Sequence, residues 1–172
     1  MGGRGSEFKI NLNIKNVDKI DMKNKDVVNF YCKQTLDYLA DFKGYEENVL
    51  ITRTGKVYHI RGDKYSIEVP ENLSAKAKID IHNHPHDANR SFSKEDRASW
   101  KIGCEYLLTD GIYNYRAIVK KQIEYDANLY QNALTAAAQN GIFNDDSQHL
   151  ECLYLQSKGY IEYERMERHT WI

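Results

Sequence analysis

Two histidines and one aspartate are the residues of this sequence best suited to metal chemistry. His82 and His84 lie two positions apart in the run IHNHP, and Asp96 follows downstream. Alternate side chains of a β-strand point to one face, so both imidazoles can reach a single ion. A carboxylate from the first turn of a following helix would complete a His2Asp set with a fourth position left open, which is typical of catalytic zinc. The sequence therefore predicts a Zn²⁺ site.

A hydrolytic zinc site also needs a group that accepts a proton from the attacking water. It further needs a hydrogen-bond donor to the carbonyl oxygen, on which negative charge develops. Glu46 and Glu47 stand just before a predicted strand, and we expect one of them to act as the general base. Two other glutamates are further candidates for this role: Glu68 and Glu71. Ser93 is a good N-cap for the helix that carries the aspartate, and its hydroxyl is expected near the metal as the oxyanion donor.

Helices and strands predicted from hydrophobic periodicity must position these side chains. Turn glycines and capping residues predict helices at 25–42, 94–102, 127–139 and 146–157. Branched and aromatic runs predict strands at 49–51, 57–60, 65–69, 78–81, 106–108, 113–119 and 159–165, the first two joined as a hairpin at Thr54-Gly55. The histidines would then follow directly from the fourth of these strands. This pattern predicts an α/β protein with a single mixed sheet between helices.

Composition narrows the class of protein. The 172 residues are 41% hydrophobic and 28% charged, with a net charge of -1, which is typical of one globular domain and gives no reason to expect a nucleic-acid or membrane partner. Residues 1–8 read as an expression-tag remnant, and no signal peptide or membrane-spanning run is evident, so a cytoplasmic location is expected. Three unpaired cysteines, predicted to be small buried hydrophobes, agree with a reducing compartment: Cys32, Cys104 and Cys152.

The spacing of the candidate ligands resembles a known signature. The pattern His-x-His-Pro-x7-Ser-x2-Asp, met by His82, His84, Pro85, Ser93 and Asp96, resembles that of the JAMM/MPN+ zinc metalloproteases, which include isopeptidases. A closer resemblance is to prokaryotic JAMM-like domains at the ends of phage head-morphogenesis and toxin-type proteins. In those domains a glutamate precedes two strands separated by a glycine turn, and an HNHP run follows.

The resemblance covers residues 45–120 and, more weakly, 160–165, and counting back from Gly55 favours Glu46 over Glu47 as the base. It implies a JAMM/cytidine-deaminase-like αβα domain over 9–172, with a core at 25–120 and a helical C-terminal extension at 122–172. It also implies zinc-dependent hydrolysis of peptide or isopeptide bonds. The substrate would be a protein or peptide, such as a ubiquitin-like, phage or toxin polypeptide. The pair His86-Asp87 departs from the family pattern and is expected to bring extra polar groups near the metal.

Three alternatives compete with this interpretation. A JAMM-like scaffold or binding module with little activity would keep the ligands and lack the base. The run Asp80-x-His82-x-His84 also resembles the opening of PHP-type phosphoesterases, but too little chain follows it for their barrel. A nuclease of the His-Asn-His kind would need a basic surface, which a net charge of -1 does not indicate. The remaining histidines are interpreted as a strand-face residue, His59, and as surface residues, His149 and His169.

Overall fold

The structure of the protein is a computed structural model that describes residues 14–41, 44–62, 67–85 and 90–168. Some sequence predictions concern residues outside these ranges. They are the tag remnant at 1–8, the end of the first helix at Phe42, the start of the third strand at Tyr65, the pair His86-Asp87, and His169.

A seven-stranded mixed sheet forms the centre of the fold, in the order β1-β3-β2-β4-β5-β6-β7. Among the strands of the described residues, β4 and β5 run parallel, and the other neighbouring pairs are antiparallel. The strands are β1 (Ile14–Lys19), β2 (Glu47–Thr52), β3 (Lys56–Arg61), β4 (Ala77–Asn83), β5 (Glu105–Thr109), β6 (Tyr113–Val119) and β7 (Ile161–Glu167). The predicted α/β class with a mixed sheet is confirmed.

One face of the sheet is covered by helix α1 (Lys25–Ala40). Asn24 caps the helix by accepting a hydrogen bond from the Val27 backbone N–H. Buried side chains of α1 pack on the branched residues of the central strands, which alternate with the residues of the opposite face. The cluster contains Cys32, Leu36, Leu39, Val49, Ile51, Val57, Ile79, Ile81 and Leu107.

The opposite face is covered by the later helices. These are α3 (Lys94–Ala98), α4 (Leu129–Gln139) and α5 (Ser147–Ser157), in addition to a short α2 (Glu71–Ser74). Cys152 and Leu155 of α5 join a core of β5, β6 and β7 residues, while Ala133 and Ala137 of α4 pack against Leu150 of α5. The sheet thus lies between helices on both faces.

Several sequence predictions differ from the structure in their bounds. Residues 67–69, predicted as part of a strand, are irregular, and the predicted helix at 94–102 ends at Ala98. The sequence did not predict β1, because its residues IKNVDK are mostly polar and exposed. The predicted strand at 159–165 is confirmed as β7, which pairs along β6, so the extension predicted at 122–172 is not only helical but adds a strand to the same sheet.

The predicted burial of the three cysteines is confirmed. The interpretation of His149 as a surface residue is wrong. Its ring is buried, and Nδ1 lies 2.7 Å from the hydroxyl of Tyr163, which in turn lies 2.7 Å from the hydroxyl of Ser91. Burial is the main reason why the pKa of His149 is lowered to about 4, so the ring is neutral at pH 7.

Candidate metal centre

The two histidines of the predicted site lie at the end of β4. His82 is directly opposite Asn48 of β2 and Leu108 of β5, so its side chain projects from the face that carries α5 rather than the face that carries α1. His84 follows two residues later, and its backbone N–H continues the ladder by donating to the Thr109 carbonyl. Strand periodicity therefore directs both imidazoles to the same face, and both are buried.

Asp96 reaches the histidines from the first turn of α3. A capping box fixes this turn: the Ser93 backbone N–H donates to Asp96 Oδ2 at 2.8 Å, and the Asp96 N–H donates to Ser93 Oγ at 3.0 Å. Asp96 Oδ1 lies 3.3 Å from His82 Nε2, and Oδ2 lies 3.2 Å from His84 Nε2. One donor atom from each of the three residues falls within 4.8 Å of the others, so this group could hold a metal ion.

Buried aromatic packing holds the segment that leads into α3. Phe92 is fully buried, with its ring centroid 5.1 Å from that of Trp100 and 6.4 Å from those of Tyr115 and Tyr163. These contacts fix the backbone immediately before Ser93. The position of the capping box, and hence of its carboxylate, therefore depends on the core and not only on the short helix.

Hydrogen bonding orients the ligand atoms of the histidines. His84 Nδ1 lies 3.1 Å from the Arg90 carbonyl, and Nε2 lies 3.2 Å from Asp96 Oδ2. Because the carbonyl can only accept, a proton on Nδ1 would satisfy it and leave Nε2 as the ligand atom toward a metal. His82 Nε2 is buried and has no hydrogen-bond partner among the described residues, even though Asp96 Oδ1 is near. A buried ring nitrogen left without a partner, beside a carboxylate and a second imidazole, fits a metal ligand.

The charges of the group favour a cation. Burial lowers the pKa of His82, but the carboxylates of Asp96, Asp80 and Glu46 outweigh it and raise that pKa to about 9. Burial raises the pKa of Asp96, but the two imidazoles outweigh it and hold the pKa well below its usual range. Without a metal, a proton on His82 balances the acidic cluster, and a bound cation would replace that proton.

The site opens into a cavity of about 540 Å³. The cavity is lined by the three candidate ligands, by Glu46 and Ser93, and by Asn48, Asp80, Trp100 and Tyr106 among others. The structure therefore brings Glu46 and Ser93, both singled out in the sequence, to the same space as the ligands. Arg90 also lines it and, among the described residues of the lining, is the one arginine or lysine.

Glu47 lies on the other face of β2. Its carboxylate accepts a hydrogen bond from the Tyr38 hydroxyl at 3.2 Å, and its Oε1 lies 3.3 Å from His59 Nδ1. Burial alone would raise the pKa of Glu47, but these two partners, with Arg61, lower it below its usual value. Glu47 is thus an anchored anion on the α1 side, away from the cavity. His59 is a residue of β3, in agreement with its interpretation as a strand-face residue.

The further glutamates predicted as bases lie elsewhere. Glu68 is exposed and does not line the cavity. Glu71 lines the cavity at α2 but its carboxylate forms an exposed ion pair with Lys101 at 3.1 Å.

Asp80 lines the cavity beside His82, and sequence reasoning did not assign it to the zinc site. It stands two residues before His82 on β4, and its Oδ1 accepts a hydrogen bond from Asn48 Nδ2 and lies 3.9 Å from His82 Nδ1. Burial raises the pKa of Asp80. The same two-residue period that selected the histidines points to this residue, because it extends their face by one step toward the N-terminus.

Comparison of the chain with protein-family models, with curated proteins and with solved structures finds no match in any of the three. Among the described residues, no helix is both long enough and apolar enough to cross a bilayer. The group formed by His82, His84 and Asp96 is thus the feature from which a function can be argued.

Proposed function

We propose that this protein is a zinc-dependent hydrolase of peptide or isopeptide bonds, with a domain of the JAMM/MPN+ kind. The observation that carries the proposal is the convergence of His82, His84 and Asp96 in a cavity that a glutamate and a serine hydroxyl also line. The His2Asp set leaves a fourth tetrahedral position for solvent or substrate, as catalytic zinc requires. Bound there, Zn²⁺ would act as a Lewis acid toward a carbonyl and lower the pKa of water.

Glu46 is the proposed general base. It lies two residues before Asn48, whose side chain faces the cavity beside His82, and it lines that cavity itself. Its carboxylate is close enough to His82 to raise the pKa of that ring. In this position Glu46 would accept a proton from the attacking water and return it to the leaving amine.

Ser93 is the proposed donor to the developing oxyanion. Its Oγ accepts the Asp96 N–H, and the hydroxyl hydrogen can still point toward the cavity. Because its backbone also holds the Asp96 carboxylate, the same residue supports the ligand and presents a donor beside it. Ser93 can do both, because its backbone N–H holds the carboxylate and its hydroxyl hydrogen would face the oxyanion.

The sheet supports this function over the phosphoesterase alternative. A barrel of the PHP kind is built from parallel strands, whereas only one pair in this sheet is parallel. The scaffold alternative shares the ligands and is separated from the hydrolase only by the glutamate. Cleavage by the wild type, compared with cleavage by the Glu46→Gln variant, is therefore the measurement that distinguishes them.

Metal content is the first test. The full chain, loaded with Zn²⁺ and desalted, should retain about one ion by elemental analysis, as a three-ligand site predicts. His82→Ala and Asp96→Ala should lose it, while His59→Ala, which removes a histidine from the other face of the sheet, should keep it. Stoichiometric zinc in both ligand variants would overturn the site.

Hydrolysis is the second test. A pool of unstructured peptides, some branched through lysine isopeptide bonds, is incubated with the zinc-loaded chain and analysed by mass spectrometry. We expect new termini with the wild type and about 10²- to 10⁴-fold less cleavage with Glu46→Gln, which keeps the zinc. Zinc binding without cleavage by the wild type would favour the scaffold; cleavage undiminished in Glu46→Gln would refute the role of this base.

A further inference from the structure

The asparagine between the two histidines has an environment that the metal site does not explain. On β4, Asp80 and His82 point into the cavity, so Asn83 points to the α1 side with Ile79 and Ile81. Its side chain is 1% exposed. A buried amide needs partners for both its donor and its acceptor, and those partners lie in the first residue of β2 and in the residues just before it.

Asn83 bonds to the backbone on both sides of Glu46. Its Oδ1 accepts a hydrogen bond from the Glu47 N–H at 2.8 Å, and its Nδ2 donates to the Tyr45 carbonyl at 3.3 Å. The backbone ladder between β2 and β4 ends one step earlier, at the pair Asn48–His82. The side-chain amide thus takes the place of the next peptide group of the ladder, at the point where the two strands separate.

These bonds define the backbone conformation of the proposed base. The Tyr45 carbonyl belongs to the peptide plane before the Glu46 α-carbon, and the Glu47 N–H belongs to the plane after it. The second plane is also held by the residue that follows β3, because the Gly62 N–H donates to the Glu46 carbonyl at 2.9 Å. The φ and ψ angles of Glu46 are the rotations between these planes, so fixing both planes sets the direction of its Cα–Cβ bond.

We propose that Asn83 is a positioning residue that fixes Glu46 relative to the metal ligands. Because Asn83 stands between His82 and His84, one residue of the strand that carries two ligands also holds the residue proposed as the base. Only a side chain with both a donor and an acceptor in an amide plane can make the two bonds, so neither alanine nor aspartate would replace it. This inference rests on the proposed function.

The test compares the full chain with Asn83→Ala, Asn83→Asp, Glu46→Gln and the double variant Asn83→Ala/Glu46→Gln. Asn114→Ala is the matched control: Asn114 is also 1% exposed and lies in the same sheet, but its Nδ2 donates to the Arg168 carbonyl, far from β2 in strand order. Each protein is loaded with Co²⁺, and the cobalt content and the pH profile of its visible absorption are measured.

We expect all these proteins to bind cobalt. Glu46→Gln should displace the midpoint of the pH profile, and both Asn83 variants should displace it in the same direction. The double variant should show no further displacement beyond Glu46→Gln, because a positioning residue has no effect once the group it positions is gone. The control should keep the wild-type midpoint.

A second readout does not involve the metal. Amide hydrogen exchange of Glu47 in the metal-free chain should accelerate about tenfold in Asn83→Ala, as the loss of one hydrogen bond predicts, and stay unchanged in Asn114→Ala. If the chain also cleaves peptides, kcat should fall about 100-fold in Asn83→Ala with little change in KM, since misplacement of a catalytic group affects the chemical step.

The outcomes separate this inference from the function on which it rests. A wild-type chain that binds no cobalt would refute the metal site and with it the role of Asn83. Stoichiometric cobalt with a wild-type pH profile in Asn83→Ala, or displacements that add in the double variant, would refute the positioning role alone. Unchanged exchange at the Glu47 amide would refute the bond from which the role is inferred.

Discussion

The adjacent glutamates at the start of β2 allow a sharp test, because the same substitution at each should affect a different property. Glu46 lines the cavity, whereas the Glu47 carboxylate is buried on the α1 side with Tyr38 and His59 as partners. We expect Glu47→Gln to lower stability and leave hydrolysis nearly unchanged. Glu46→Gln should remove hydrolysis with a smaller effect on stability.

The magnitude for Glu47→Gln follows from its contacts. A hydrogen bond to a buried charged group contributes about 1.5–3 kcal/mol, and a neutral one about 1 kcal/mol. The side chain of glutamine has one acceptor oxygen, which can serve either the Tyr38 hydroxyl or His59 Nδ1. Its amide nitrogen would face the other of these two groups and could not accept a hydrogen bond from it. Tyr38 is 49% exposed and can turn to water, which limits the loss. The expected change in the free energy of unfolding is about 2 kcal/mol, or about 4–8 °C in Tm for a chain of this size.

The assay uses urea unfolding and peptide cleavage on the same zinc-loaded preparations. For Glu47→Gln the urea midpoint should fall while kcat/KM stays within about threefold of the wild type, since less than 1 kcal/mol of transition-state stabilisation is at stake. If Glu47→Gln abolished cleavage at unchanged stability while Glu46→Gln kept it, the assignment of the two side chains to opposite faces would be wrong.

Three further predictions concern stability. Because the pKa of His149 is lowered from 6.5 to about 4, the stabilisation that its neutral ring gives the folded state is present above pH 6.5 and is lost as the pH falls toward 4. The free energy of unfolding of the wild type minus that of His149→Gln should therefore drop by about 2 kcal/mol from pH 7 to pH 5. A difference that stays constant with pH would contradict this prediction. Tyr163→Phe removes the hydroxyl that Ser91 and His149 share as a partner, and it should lower the free energy of unfolding measured in urea by about 1–3 kcal/mol. A urea midpoint that stays at its wild-type value would contradict this prediction. Free Zn²⁺ at 100 times its Kd should stabilise the wild type by about 2.7 kcal/mol in thermal unfolding; an equal gain in Asp96→Ala would argue against that ligand.

The strands that carry the site could be predicted from the sequence because each has a strong local signal. The hairpin of β2 and β3 has a glycine turn between branched runs, and β4 alternates between buried and cavity-facing residues up to His84. The capping box at Ser93 and Asp96 is likewise a local pattern, and the structure contains it. Local signals therefore sufficed for these strands and for the capping box.

The choice between Glu46 and Glu47 depends on the register of β2 against β4, which is not local. A slip of one residue would exchange the faces of both glutamates, and the pairing of Asn48 with His82 that sets the register joins segments more than 30 residues apart in the sequence. Burial of His149 likewise depends on a contact between α5 and β7. Such features require the assembled sheet, so the periodicity of a single segment cannot reveal them.

The segment that carries the candidate ligand Asp96 is fastened to the last quarter of the chain. The Ser91 N–H donates to Asp146 Oδ2 at 2.9 Å, Arg90 Nε donates to Gln148 Oε1 at 3.1 Å, and Arg97 forms an ion pair with Glu151. A shortened protein ending after β6 would release this loop from its anchor and leave an open sheet edge where β7 now lies. The smallest unit able to hold a metal is therefore expected to extend through β7, and boundaries drawn at the signature motif alone would yield an inert fragment.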